Sequence, residues 1–340
     1  MPPELPSDLD QPRPSTTTRR EVLAAGLGGL LLPAVASAQA TPPPPPAKAA
    51  PPPKPGTPAK PTTRGEAMLT RPIPSSGEAL PVIGLGTWQT FDVGTAPSER
   101  GPLAEVLRRF LASGARLIDS SPMYGRAEQV TGDLLDSIGE LKTPFLASKV
   151  WTTGKDEGLA QLRDSVQRMG RGRMDLMQVH NLVDWRTQLP VLREWKAAGR
   201  IRYVGVTHYT RGAFDELERF IREEKLDFVQ LPYSLAQRDA EKRLLPAAAE
   251  HGVAVLVMQP FASGSLFQRV RGRALPEWAA EFDCTSWAQF FLKFILGHPA
   301  VHCPLPATSK PDHVADNLRA GFGRLPDEKQ RARMARALEG

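Results

Sequence analysis

Eight short apolar runs, each followed by a segment of helical periodicity, constrain this chain more than any other feature. The runs are PVIGLGTW (Pro81–Trp88), ARLIDSS (Ala115–Ser121), PFLASKVW (Pro144–Trp151) and RMDLMQVH (Arg173–His180), then IRYVGVTH (Ile201–His208), DFVQLPYS (Asp227–Ser234), VAVLVMQP (Val253–Pro260) and AVHCPLPA (Ala300–Ala307). Between them lie amphipathic segments such as RGAFDELERFIREE (Arg211–Glu224), where Phe214, Leu217, Phe220 and Ile221 share one face at helical spacing. Runs that are apolar almost throughout, rather than alternating, read as strands covered on both faces, which is the pattern of a parallel sheet. Eight such βα units within residues 67–340 predict a (β/α)8 TIM barrel. A doubly wound open sheet is the alternative, but it usually has fewer strands, and no G-x-G-x-x-G follows the first run. Ahead of the barrel, MLTRPIPSSGEALPVIG (Met68–Gly84) has a turn at Ser75-Ser76-Gly77 between two apolar pieces and reads as a hairpin capping the N-terminal end. The last segment, Asp327 to Gly340, reads as a polar helix whose packing the sequence leaves open.

The first 66 residues read differently. STTTRREVLAAGLGGLLLPAVASAQA pairs Arg19 with Arg20, continues in an apolar run from Val22 to Leu32, and closes on small residues. That run is too short for a membrane span, which needs roughly 20 apolar residues. A charged start, a short apolar core and Ala-x-Ala sites at Ala36-Ser37-Ala38 and Ala38-Gln39-Ala40 fit a cleavable signal over residues 1–40. Thr18-Arg19-Arg20-Glu21-Val22-Leu23 resembles the twin-arginine motif, which implies export of an already folded protein to the periplasm through that machinery. If the signal is not used, the protein stays cytoplasmic. Residues 41–66 are a Pro-rich linker: half of Thr41–Thr62 is proline, which favours an extended polyproline II spacer and buries no apolar core.

Composition excludes some classes. The net charge is +6, but no dense Lys/Arg run with interleaved aromatics appears, so nucleic acid is not an expected partner. The two cysteines, Cys284 and Cys303, have no CxxC context and predict no metal site. Export would permit a disulfide between them, although two buried small hydrophobes is the plainer reading.

In a barrel of this type, chemistry collects at the C-terminal ends of the strands. The second run ends in Asp119, with Tyr124 in the following loop; the third ends near Lys149 and the fourth in His180. A tyrosine holds its proton at neutral pH, and a neighbouring lysine cation lowers its pKa. An aspartate can hold that lysine charged and in place. The tyrosine then donates a proton to a carbonyl oxygen that is gaining charge, and a histidine orients that oxygen. No side chain supplies a hydride, so the reaction requires a cofactor.

GLGTW, LIDSSPMYGRAE, SKVW, DLMQVHN, GRIRYVGVTHY and LPATSKPDHVADNL together resemble the aldo/keto reductase family, over nearly all of residues 67–321. The resemblance implies that Asp119, Tyr124, Lys149 and His180 form the catalytic tetrad of an NADP(H)-dependent reductase of small aldehydes or ketones. It also implies nicotinamide contacts from Thr87, Thr207, His208 and Gln230. Phe261, Ser263, Gly264 and Leu266 would cover the pyrophosphate, and Thr308, Ser309, Lys310, His313 and Asn317 would grip the adenosine end. Three positions depart from the family pattern. Met258 stands where many members stack a tyrosine on the nicotinamide, His208 where many have asparagine, and His313 where many have an arginine against the 2′-phosphate. Lys310 can supply that missing charge, which leaves NADPH expected and NADH possible.

Two other readings stay open at this level. One is a nucleotide-binding sensor or partner module on the same barrel, with little or no catalysis. The other, a zinc hydrolase, lacks the His-x-His expected at the end of the first run. Specificity would lie in the loops Gln89–Arg100, Thr152–Glu157, Asn181–Arg186 and Gln268–Phe282, with Trp88, Trp151 and Trp185 as candidates for an apolar pocket. An exported reductase would need its nucleotide loaded before export, and its re-reduction would call for an unknown redox partner.

Overall fold

In a computed structural model the described residues are 67–338, with 171 excepted. The signal and linker assigned to residues 1–66 therefore lie outside the described residues, as does the end of the chain. Two short antiparallel strands come first, β1 (Thr70–Pro72) and β2 (Ala79–Pro81), paired Thr70 to Pro81. Alternating units follow: β3 (Leu85–Gly86), α1 (Pro97–Ala112), β4 (Leu117–Asp119), α2 (Ala127–Ser137), β5 (Phe145–Val150), α3 (Lys155–Arg168), β6 (Met174–His180) and α4 (Trp185–Ala197). The second half holds β7 (Ile201–Thr207), α5 (Phe214–Glu223), β8 (Phe228–Pro232), α6 (Leu244–Glu250), β9 (Ala254–Met258), α7 (Ser265–Arg269), α8 (Trp287–Leu296), β10 (Val301–Pro304), α9 (Pro311–Arg319) and α10 (Glu328–Arg336).

Strands β3 to β10 pair in parallel, each with its sequence neighbour. The two ends of the sheet meet: the Gly84 and Gly86 N–H groups donate to Pro304 and Pro306 carbonyls at 3.0 and 3.1 Å. A sheet without edges and with helices between its strands is a parallel barrel. The first strand is shorter than the predicted Pro81–Trp88. Pro81 is spent on the hairpin, and only Leu85–Gly86 joins the ladder.

The barrel interior is one buried cluster that includes Leu117, Phe145, Leu176, Tyr203, Phe228 and Leu256. Ile73 and Leu80 of the hairpin segment belong to the same cluster. Polar bonds hold that hairpin: the Tyr203 hydroxyl donates to Glu78 Oε2 at 2.6 Å and lies 2.8 Å from Ser76 Oγ. Outside the barrel, α5 buries Phe214, Leu217, Phe220 and Ile221, the face read from spacing. Each such apolar side chain contributes roughly 1.5–3 kcal/mol on burial. Cys284 and Cys303 are both free and buried, so the disulfide allowed by composition does not form.

The polar C-terminal helix buries Arg331, Met334 and Ala335, and its arginine makes the polar contacts below the surface. Asp327 and Gln330 form a capping box that starts α10. One turn on, buried Arg331 reaches Glu241 Oε1 and Tyr233 Oη, each at 2.5 Å, and donates through Nε to the Phe294 carbonyl at 3.0 Å. Removing one partner of a buried ion pair strands the other, at a cost of roughly 3–5 kcal/mol. Glu241 keeps Arg238, so Arg331→Ala should destabilise by about 3 kcal/mol, the low end of that range. Urea unfolding measures this, and a loss below about 0.5 kcal/mol would show that α10 is only loosely tied.

Candidate active site

The four predicted groups come from three adjacent strands. Asp119 ends β4, Lys149 is next to last in β5, and His180 ends β6. Parallel pairing places Asp119 beside Ala147 and Lys149 beside Gln178. Tyr124 stands in the turn between β4 and α2, and glycine is required next to it. Gly125 has φ +60°, and a Cβ there would lie 2.4 Å from the Asp92 carboxylate. That carboxylate accepts the Arg126 N–H at 3.0 Å, which locks the loop after β3 to the turn carrying Tyr124.

Lys149 has 0% exposure. Its ammonium donates to Asp119 Oδ2 at 2.7 Å and to the Ser120 carbonyl at 2.6 Å. The other Asp119 oxygen accepts from Gln178 Nε2 at 3.3 Å. Burial alone would drive the lysine neutral, but Asp119 first and Tyr124 second raise its pKa above the usual lysine value. The ammonium lies 5.0 Å from the Tyr124 ring centroid. Tyr124 and His180 meet edge to face at 5.9 Å. Burial, the Lys149 charge and His208 together drop the His180 pKa to about 2, so its imidazole is neutral at neutral pH.

The expected effect on Tyr124 needs correcting in its net sign. Lys149 does pull the phenol down, but burial pushes it up further, with Asp119 helping, and the pKa ends above its ordinary value. The hydroxyl is thus a firmly protonated group beside a fixed cation.

The candidate nucleotide residues occupy the other half of the same face. His180, Thr207 and Gln230 form a row across β6, β7 and β8, paired His180 to Thr207 and Thr207 to Gln230. Thr207 Oγ1 is buried with no partner among the described residues. Gln230 is buried beside it. Thr87 is already committed: its hydroxyl lies 3.0 Å from both the Asp119 carbonyl and Ser120 Oγ, so it braces the site from within. His208 is half-buried, accepts the Thr210 N–H at 3.2 Å, and is held below the usual histidine pKa by burial. After β9, Phe261 packs on Phe267 at 4.9 Å, while Ser263 and Gly264 take left-handed backbone, φ +52° and +87°. The Leu266 side chain is fully buried in the core, so that residue offers only its main chain. Beyond β10, Thr308 Oγ1 accepts the Lys310 N–H at 3.1 Å, Ser309, Lys310 and His313 are exposed, and Asn317 is buried. Met258 is partly exposed at the end of β9.

Sequence reasoning missed several groups. A cavity of about 310 Å³ beside the loop after β9 is lined by Ser263, which the sequence singled out, and by Arg211, Gln237, Gln259, Ser265 and Arg269, among others, which it did not. Gln178, Ser120 and Ser121 support the tetrad; the signal for the serines was their place directly after Asp119 in LIDSSPMYG. Trp185 is not at the mouth. It packs edge to face on Phe220 at 4.9 Å, between α4 and α5. Trp88 and Trp151 do stand there, 50% and 41% exposed, and each lies 6.5 Å from a tetrad ring, Tyr124 and His180 respectively.

A closed parallel barrel with an Asp–Lys–Tyr–His cluster at its strand ends defines a class of barrel oxidoreductases. The aldo/keto reductase family model matches residues 82–337, and this chain belongs to that family. Aldo-keto reductase YhdN of Bacillus subtilis is 27% identical over 226 residues, covering 62% of this chain and 66% of that protein. The NADH-specific methylglyoxal reductase of Escherichia coli is 25% identical over 231 residues, covering 57% and 68% respectively. The crystal structure of an aldo/keto reductase from Klebsiella pneumoniae, in complex with NADP and acetate, is 26% identical with a TM-score of 0.66. It is matched over 77% of this chain and 93% of its own.

The sign of the Tyr124 shift is measurable. Difference titration of wild type against Tyr124→Phe, followed by tyrosinate absorbance, should show one tyrosine ionising only above the ordinary value of 10.0. Ionisation below that value would mean that Lys149 outweighs burial.

Proposed function

We propose that this protein reduces an aldehyde or ketone to the alcohol, with a nicotinamide nucleotide as hydride source and Tyr124 as proton donor. One observation carries the reading: a buried Lys149–Asp119 pair sits beside a phenol that keeps its proton and an imidazole that stays neutral. Tyr124 donates to the carbonyl oxygen as charge develops on it. Lys149 stabilises the phenolate left behind, and Asp119 keeps Lys149 charged. His180 orients the oxygen by hydrogen bonding. A complete set of this kind favours turnover over a nucleotide-binding sensor module.

The residues present fit a nicotinamide nucleotide. The unpartnered, buried Thr207 Oγ1 and neighbouring Gln230 are a ready donor and acceptor pair for the ring's carboxamide. When bound, the nicotinamide supplies the hydride that no side chain can. Ser263 and Gly264 would offer backbone at the pyrophosphate, with Arg211 and Arg269 adding positive charge nearby. Thr308, Ser309, Lys310 and Asn317 would hold the adenosine end. NADP(H) is favoured, because Lys310 is exposed and available to a 2′-phosphate, and the Klebsiella relative is a complex with NADP. Substrates carrying a flat apolar ring suit the two exposed tryptophans beside Tyr124 and His180.

NADPH consumption against a panel of aliphatic and aromatic carbonyls tests the reading. Tyr124→Phe should lower turnover by about 100-fold or more while nucleotide binding, read by quenching of protein fluorescence, is retained. Binding without turnover of any carbonyl by the wild type would return the assignment to the sensor module.

For residues 1–40 the reading is a twin-arginine signal, followed by a spacer over 41–66 and the barrel over 67–340, exported folded to the periplasm. Its support is the Arg19-Arg20 pair before a short apolar run and Ala-x-Ala sites. Loading the nucleotide before export would explain the choice of a folded-protein route. Replacing Arg19 and Arg20 with lysine should leave the protein in the cytoplasm with its leader intact and its turnover unchanged. Processed protein outside the cytoplasm in that variant would rule the route out.

A further inference from the structure

Ser121 follows the tetrad aspartate by two positions and has no exposed surface. Its hydroxyl has two neighbours among the described residues: the Met123 N–H donates to it at 3.3 Å, and His180 Nδ1 lies 3.0 Å away. A serine hydroxyl carries one hydrogen and accepts up to two. If Nδ1 carried the imidazole proton, it would take the second acceptor position. The Ser121 hydrogen would then have no acceptor in a buried place, at a cost of roughly 1–3 kcal/mol. The other hydroxyls nearby are committed elsewhere, Thr87 Oγ1 and Ser120 Oγ to each other at 3.0 Å. If Nδ1 is bare, the hydroxyl donates to it, and both Ser121 Oγ and Nδ1 are satisfied.

The neutral ring then carries its proton on Nε2, the tautomer being set by the bond at the other nitrogen. Nε2 makes no hydrogen bond among the described residues, and Tyr124 and Trp151 flank the ring at 5.9 and 6.5 Å. We propose that Ser121 is a positioning residue, locking His180 in the Nε2–H form so that the ring presents a donor to the substrate's carbonyl oxygen. The proposal rests on the reading of His180 as the group that orients that oxygen. Without Ser121, Nδ1–H and Nε2–H forms compete, and part of the population aims a lone pair at an oxygen that is becoming negative.

Long-range ¹H–¹⁵N correlation spectra of the full chain, labelled at histidine nitrogens and assigned with His180→Gln, read the tautomer directly. The wild type should show a protonated-type Nε2 and a bare-type Nδ1 for His180 throughout the neutral pH range. Ser121→Ala should move both shifts toward the averages of exchanging tautomers. Its kcat should fall about tenfold, less than the roughly 100-fold or more expected for losing a donor outright. A protonated Nδ1 in the wild type overturns the proposal, and that result needs no variant to fold. So do unchanged His180 shifts in Ser121→Ala, whatever its kcat. The spectra need no turnover, so a protein that reduces no carbonyl would sink the functional reading and leave the tautomer assignment to stand or fall separately.

Discussion

At the top of the barrel a lysine with no access to solvent rests 2.7 Å from an aspartate carboxylate that is itself nearly buried. Neither charge is tolerable alone in that place. Stranding either would cost roughly 3–5 kcal/mol. The pair is held because three strands deliver its parts in register: Asp119 from β4, Lys149 from β5, and Gln178 from β6 to satisfy the second carboxylate oxygen. The properties of the neighbouring groups follow from it. The Lys149 charge helps to keep His180 neutral, and it pulls against burial at Tyr124, which holds that phenol protonated but within reach of a stabilising cation.

Barrel closure turns a row of strands into a site with two facing halves. Asp119, Lys149 and His180 stand at the ends of β4 to β6, while the candidate nucleotide residues follow β3 and β7 to β10. An open sheet would leave those halves at opposite edges. Among the described residues the exposed large apolar side chains are Trp88, Met123, Trp151, Tyr209 and Phe267, and each lies in a segment that follows a barrel strand. In the barrel interior the Phe145, Tyr203 and Phe228 rings pack on one another, with Ile73 and Leu80 in the same cluster. The molecule thus keeps its apolar exposure at the end where the chemistry sits.

Much of this could be read from the chain before any fold was known, and the reasons differ by feature. The eight strands were legible because parallel strands buried on both faces need nearly unbroken apolar runs. The face of α5 was legible because Phe214, Leu217, Phe220 and Ile221 repeat at helical spacing. The tetrad was legible because a barrel sends its strand ends to one face, so four polar residues at successive ends must gather there. The hairpin turn was legible from Ser75-Ser76-Gly77. Where β3 begins was not, since Pro81 fits a hairpin strand as well as a barrel strand and only pairing to Thr70 decides.

Sequence by itself determined the order of elements, the placement of Asp119, Lys149 and His180 at successive strand ends with Tyr124 in the turn after the first of them, and the absence of a dinucleotide fingerprint after the first run, because each is written in local spacing. Tertiary structure alone decided the rest. Trp185 became packing on Phe220 and not pocket wall, and a polar helix acquired an anchor in Arg331 through Glu241 and Tyr233. Tyr124 gained a raised pKa, and Ser121 gained His180 as its partner. These outcomes depend on distance and on exclusion of water between residues far apart in the chain. Neither quantity exists until the barrel has closed.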